Sequence, residues 1–105
     1  MVGMSNPTSD SSLIIEVIKV KGSCPVHRVG DRIVIRGAKI DLERTDNLCI
    51  HALPSLLHYA VALREGADPR KLGLSTDKDS AYNQCLDPGV PYTEGGTVVF
   101  KCHRE

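Results

Sequence analysis

Leu13-Ile14-Ile15-Glu16-Val17-Ile18-Lys19-Val20-Lys21 is dense in β-branched side chains. Branching at Cβ restricts χ1 and suits a pleated surface, so this stretch reads as a strand. Its apolar residues fall on both faces, which predicts a strand that is central in its sheet or covered on both sides. Gly22-Ser23-Cys24-Pro25 ends it, because Pro25 has no N–H to continue a ladder and Gly22 permits a sharp bend. Val29-Gly30-Asp31 marks a second turn before Arg32 to Arg36, a short strand with charged ends. Gly37 closes that strand, and Ala38 to Leu42 reads as a further strand or hairpin arm. At the far end, Thr97 to Cys102 is a closing strand.

One helix lies between these strands. Thr45-Asp46-Asn47 offers N-cap candidates, followed by a helical turn through Cys49 and His51. Pro54 suits the first turn of the main helix, where its missing N–H costs little. Leu56, Leu57, Ala60, Val61 and Leu63 form an apolar stripe near helical spacing, and Arg64-Glu65-Gly66 ends it. Arg70 to Asn83 is polar, with residues 75–80 as a surface loop. The order predicts an α+β domain: a small, mostly antiparallel sheet packed against one main helix. Residues 1–12, rich in Ser, Asn, Asp and Pro, read as a disordered tail ahead of a single domain over residues 13–105.

Composition narrows the function classes. The chain has 105 residues and a formal net charge of zero, which argues against a strongly electrostatic nucleic-acid binder. Tyr59, Tyr82, Tyr92 and Phe100 are its aromatic residues, so stacking surfaces for single-stranded nucleic acid are scarce. The local excess of base from Arg28 to Arg44 reads as the solvated face of a hairpin. No run approaches the roughly 18–20 apolar residues of a membrane span. The N-terminal residues lack the basic and apolar regions of a signal peptide. The expectation is therefore a cytoplasmic protein whose four cysteines are ligands or reactive thiols rather than a disulfide framework. In an oxidising compartment, the four could pair in three ways.

The cysteines carry the chemistry. Cys24, Cys49 and Cys85 each lie beside groups that bend the chain, whereas a cysteine used for packing usually lies in an apolar stripe. Cys49, at the expected helix start, would meet unpaired N–H groups that favour a thiolate. Cys24 is held by Pro25, and Cys85 opens the Asp87-Pro88-Gly89 turn. Cys102 shares a strand face with Val98 and Phe100 and reads as a core residue. His27 and His51 follow Cys24 and Cys49 closely and could serve as nitrogen ligands or proton shuttles, although a turn histidine is more often simply solvated. His58 reads as a surface or half-buried helical residue. Asp31, Asp41, Asp46 and Asp87 read as caps or turn formers. With no Cys-x-x-Cys pair, neither a zinc ribbon nor a thioredoxin-like redox pair is supported. No phosphate-binding glycine loop or nucleophile elbow is present.

These residues resemble a family of small uncharacterised proteins, mostly from archaea and anaerobic bacteria. The resemblance rests on Cys24-Pro25 with Gly30-Asp31, on Cys49 before the helix ending Leu63-Arg64-Glu65-Gly66, on Cys85 beside Asp87-Pro88, and on Val98-Val99-Phe100. Ile50 and Leu86 stand where that pattern often carries proline, and Cys102 lies outside it. The family carries no activity over to this chain. Its occurrence in anaerobes favours an oxygen-sensitive centre, such as an iron–sulfur cluster, over zinc, with both open.

The leading expectation is a protein that binds an iron–sulfur cluster or a metal ion such as zinc through Cys24, Cys49 and Cys85; an open coordination position would admit a substrate, and a fourth protein ligand would make the site structural. A thiol enzyme is the alternative, with Cys49 as nucleophile and His51 or His27 as base. The third reading is a non-catalytic interaction module with buried cysteines. The sequence names neither a small-molecule nor a protein partner. A terminal strand with an exposed edge leaves a dimer open.

Overall fold

The computed structural model describes residues 11–105. Residues 1–10, most of the expected tail, lie outside the described part. The elements are β1 (Ser12–Lys21), β2 (Arg32–Arg36), β3 (Lys39–Ile40), a 3-10 turn (Leu42–Arg44), α1 (Leu53–Arg64), β4 (Ala81–Gln84) and β5 (Thr97–Arg104). They form one five-stranded sheet in the order β3-β2-β1-β5-β4, antiparallel at every pairing. This is the α+β fold expected, with α1 packed across β1, β4 and β5. No helix among the described residues is long and apolar enough to cross a membrane.

β1 is central, as its two-faced apolar pattern required. Regular alternation from Leu13, Ile15 and Val17 would next have turned Lys19 into the core. Instead the pairing slips from Val17 opposite Phe100 to Lys19 opposite Val99 and Val20 opposite Val98. Ile18 is the extra residue of this bulge. The slip returns Val20 to the core side and leaves Lys19 and Lys21 exposed. Leu13, Ile15, Val17, Ile33 and Phe100 are almost completely buried beneath α1, each side chain contributing about 1.5–3 kcal/mol of transfer free energy. On the opposite face Ile14 and Val34 face each other across β1 and β2 and are also buried.

The tail boundary at residue 12 moves, because Ser12 is already in β1 and pairs with Arg36. β3 stops at Ile40, since Asp41 caps the 3-10 turn through its carboxylate and the Glu43 N–H. β4 falls where the sequence predicted polar loop. Its inward residues are Ala81 and Asn83, and its outward ones Tyr82 and Gln84, so its period of two carries no hydrophobic signal.

α1 begins where Pro54 places it, and residues 50–52 before it form a turn. Ala52 is its N-cap, without a side-chain bond, and Pro54 sits in its first turn. Thr45, Asp46 and Asn47 do not cap it. Thr45 Oγ1 and Asp46 Oδ2 instead accept the Val34 and Arg32 N–H groups on the edge of β2, and Asn47 donates to the Val26 carbonyl. These donors would otherwise be unpaired, because β3 is only two residues long. Leu56, Ala60 and Leu63 form the buried face of α1. Leu57 and Val61 are exposed at its edge. The Arg64 guanidinium donates to the Gly37 carbonyl, tying the helix end to the β2–β3 turn.

Candidate functional site

The site begins in the turn after β1. Gly22 has a φ of 83°, and Pro25 both fixes its own φ and removes an N–H. The next two amides fold back on the sulfur: Val26 N lies 3.4 Å and His27 N 3.3 Å from Cys24 Sγ, both donating to it. Donors aimed at one sulfur bond a thiolate more strongly than a thiol.

Cys85 follows β4 and continues its pairing, its N–H donating to the Val98 carbonyl at 3.0 Å. Its sulfur accepts the Val98 N–H at 3.3 Å and can donate to the Gly96 carbonyl at 3.6 Å. Gly96 lies between the first and third cysteines. A Cβ placed on it would lie 2.8 Å from the Ser23 carbonyl oxygen and 3.5 Å from Cys24 Cα. Its N–H donates to the Lys21 carbonyl at 2.8 Å. This close backbone crossing sets the Cys24 turn against the start of β5. The Gly95-Gly96 pair is the sequence signal for this crossing, and it lies outside the cysteine and turn motifs singled out from the sequence.

The Asp87-Pro88-Gly89 turn is built as its residues suggest. Asp87 Oδ1 accepts from the Gly89 N–H at 2.7 Å and from the Thr93 hydroxyl. The Thr93 bond first, then the Gly89 N–H and the nearby His51, hold the Asp87 carboxyl below its ordinary range. Asp31 and Asp41 likewise accept local N–H groups. Asp46 differs by bonding across the strand edge.

Cys49 departs from expectation. It lies before the N-cap, and its carbonyl accepts the Ala52 and Leu53 N–H groups at 3.2 and 2.9 Å. The helix-start argument for its thiolate character therefore fails, because the orphan amides of α1 begin beyond it. The Cys49 side chain is partly buried and has no hydrogen bond among the described residues.

Cys24, Cys49 and Cys85, distant in sequence, line one cavity of about 270 Å³ together with His27, His51 and Asp87. Leu48, Ile50 and Val98 make part of its wall apolar. The volume is near the lower end of small-ligand pockets, which run from about 300 Å³ upward. Among the described residues, no group of three or more His, Cys, Asp or Glu side chains is spaced about a single metal position. The three sulfurs thus share a cavity without sharing a coordination point.

His27 corrects a second expectation: it is not a solvated turn residue. It is 3% exposed, and neither ring nitrogen has a hydrogen-bond partner among the described residues. The ring meets the Phe100 ring edge-on, with centroids 5.4 Å apart. An unpaired buried polar group costs about 1–3 kcal/mol, so this orphaned imidazole calls for a physical reason. His51, by contrast, is exposed at the cavity, and His58 is exposed on α1. Cys102 is 3% exposed on the core face of β5, and burial pushes its thiol up to about 12. The residues of the basic stretch, Arg28, Arg32, Arg36, Lys39 and Arg44, are all exposed. No family model, curated protein or solved structure matches the chain.

Proposed function

We propose that this protein holds a metal ion or an iron–sulfur cluster through the thiolates of Cys24, Cys49 and Cys85. The observation that carries this reading is the meeting of the three cysteines at one small cavity. The two N–H groups at Cys24 Sγ support it, because they suit an anionic sulfur. All four cysteines are free thiols, which fits a ligand role in a reducing compartment such as the cytoplasm. A shared centre requires side-chain rotation, and the Cys49 sulfur, with no hydrogen bond among the described residues, is not held in place.

The test is anaerobic purification followed by iron, zinc and acid-labile sulfide analysis and a visible spectrum. One metal centre per chain is the expected result, lost together in Cys24→Ser, Cys49→Ser and Cys85→Ser. A colourless, metal-free protein that binds no added metal and remains folded would sink the proposal. In that event the exposure of His51 beside the unbonded Cys49 favours the thiol-nucleophile reading. Fast alkylation of Cys49 near pH 7 then tests it.

A further inference from the structure

The inference rests on the three-thiolate reading and concerns what completes that centre. His27 lines the same cavity as Cys24, Cys49 and Cys85. Its side chain is 1% exposed, and both ring nitrogens are buried without a partner among the described residues. Buried polar atoms almost always have one, so an unsatisfied pair at a cavity wall marks a candidate for binding or catalysis. The residue is fixed beside the first sulfur, since its own N–H donates to Cys24 Sγ at 3.3 Å. Nδ1 stands 3.7 Å from Asp31 Oδ2, beyond hydrogen-bond range, so the carboxylate lies on the Nδ1 side of the ring. A metal-bound histidine commonly donates its other ring N–H to a carboxylate, a role for which Asp31 is placed once the two draw closer.

These donors line one cavity but are not gathered about one point; we propose that side-chain rotation on metal binding makes His27 Nε2 the fourth ligand of a closed site with Cys24, Cys49 and Cys85, and that Asp31 orients the ring through Nδ1. Three sulfurs and one imidazole nitrogen suit a single tetrahedral ion of the zinc class. Binding forms four ligand–metal bonds and releases the three thiol protons to solvent. Nδ1 keeps its proton and donates it to Asp31, whose Oδ2 also accepts from the Arg28 N–H and has lone pairs to spare. With four protein ligands no coordination position remains for a substrate, so the ion is structural rather than catalytic.

Cobalt(II) titration of the metal-free full chain under reducing, anaerobic conditions tests this, followed by zinc displacement. The wild type should bind one ion with the visible bands of tetrahedral cobalt and thiolate charge transfer. His27→Ala should change the cobalt bands and weaken zinc binding by at least tenfold. His27→Cys should bind one ion with stronger thiolate charge transfer. Asp31→Asn should keep the wild-type cobalt spectrum but weaken zinc by about 10–100-fold. Far-UV circular dichroism checks each fold, and if His27→Ala is unfolded the other two variants decide. A folded His27→Ala with the wild-type spectrum and affinity overturns the role of His27 and leaves the three-thiolate reading standing. Unaltered charge transfer in a folded His27→Cys, or unaltered zinc affinity in Asp31→Asn, also counts against it. If the wild type binds neither ion nor cluster, the three-thiolate reading fails and takes this inference with it.

Discussion

Gly96→Ala tests the backbone crossing that builds the site. Gly96 has a φ of 99°, a conformation that costs a residue with a Cβ about 1–3 kcal/mol. The new methyl would also lie 2.8 Å from the Ser23 carbonyl oxygen. That neighbour is backbone, held by the turn that carries Cys24, and cannot swing aside. Overpacking of this kind adds about 1–3 kcal/mol, for a total of about 2–6 kcal/mol, a large share of the 5–15 kcal/mol of a typical domain. Gly30 supplies the control. Its φ is 98°, yet among the described residues nothing lies within 4 Å of a Cβ built there. Gly30→Ala should therefore show the backbone cost alone. The assay is urea unfolding of both variants and the wild type. With a slope of about 1.5 kcal/mol per molar, Gly96→Ala should lower the midpoint by roughly 0.7–2 M more than Gly30→Ala does, the slope being unchanged. Equal midpoints in the two variants would show that the crossing is loose and does not hold the cysteine turn.

Phe100→Ala should destabilise the protein by about 3–5 kcal/mol, because Phe100 is fully buried beside His27; a loss below about 1 kcal/mol in urea unfolding would contradict the packing described. Cys102 should resist alkylation at pH 8 in the folded protein while Cys49 is modified, as read by peptide mass mapping, and equal rates would refute its buried placement. The raised Cys102 value also means that, as pH rises past about 9, an unfolded thiol ionises before the folded one does. Wild-type stability should therefore fall between about pH 9 and 12, more steeply than in Cys102→Ala; parallel curves would argue against it. Arg70 donates to both Asp68 carboxylate oxygens and holds that carboxyl down to about 2. The sign is that of a depressed acid: its stabilisation is present above about pH 4 and lost as pH falls toward 2. An Asp68 midpoint by NMR near the ordinary 3.8 would contradict the pairing.

Local chemistry made much of the fold legible. The β-branched run from Leu13 to Lys21 is the central strand. Pro54 lies in the first turn of α1, and Gly66 follows its end with a φ of 91°. Those signals act through a residue's own torsions, so neighbours in sequence suffice to express them. β4 was hidden because Ala81 and Asn83 are inward by pairing with β5 rather than by hydrophobicity. The capping residues Thr45 and Asp46 were misassigned because the edge of β2 competes for them, a rival the local sequence does not display.

The candidate site divides in the same way. The bends at Cys24 and Cys85 were readable from Pro25 and from Asp87-Pro88-Gly89, whose effects are confined to a few bonds. That these cysteines and Cys49 line one cavity was decided by the antiparallel return of β5 beside β1 and by the crossing at Gly96. The burial of His27 was likewise decided at a distance, by Phe100 arriving from the far end of the chain. Sequence by itself determined which residues bend the chain and which prefer a strand or helix, because those preferences are local. Only the tertiary structure decided which of them meet, because register, bulge and burial are set by partners that lie far along the chain.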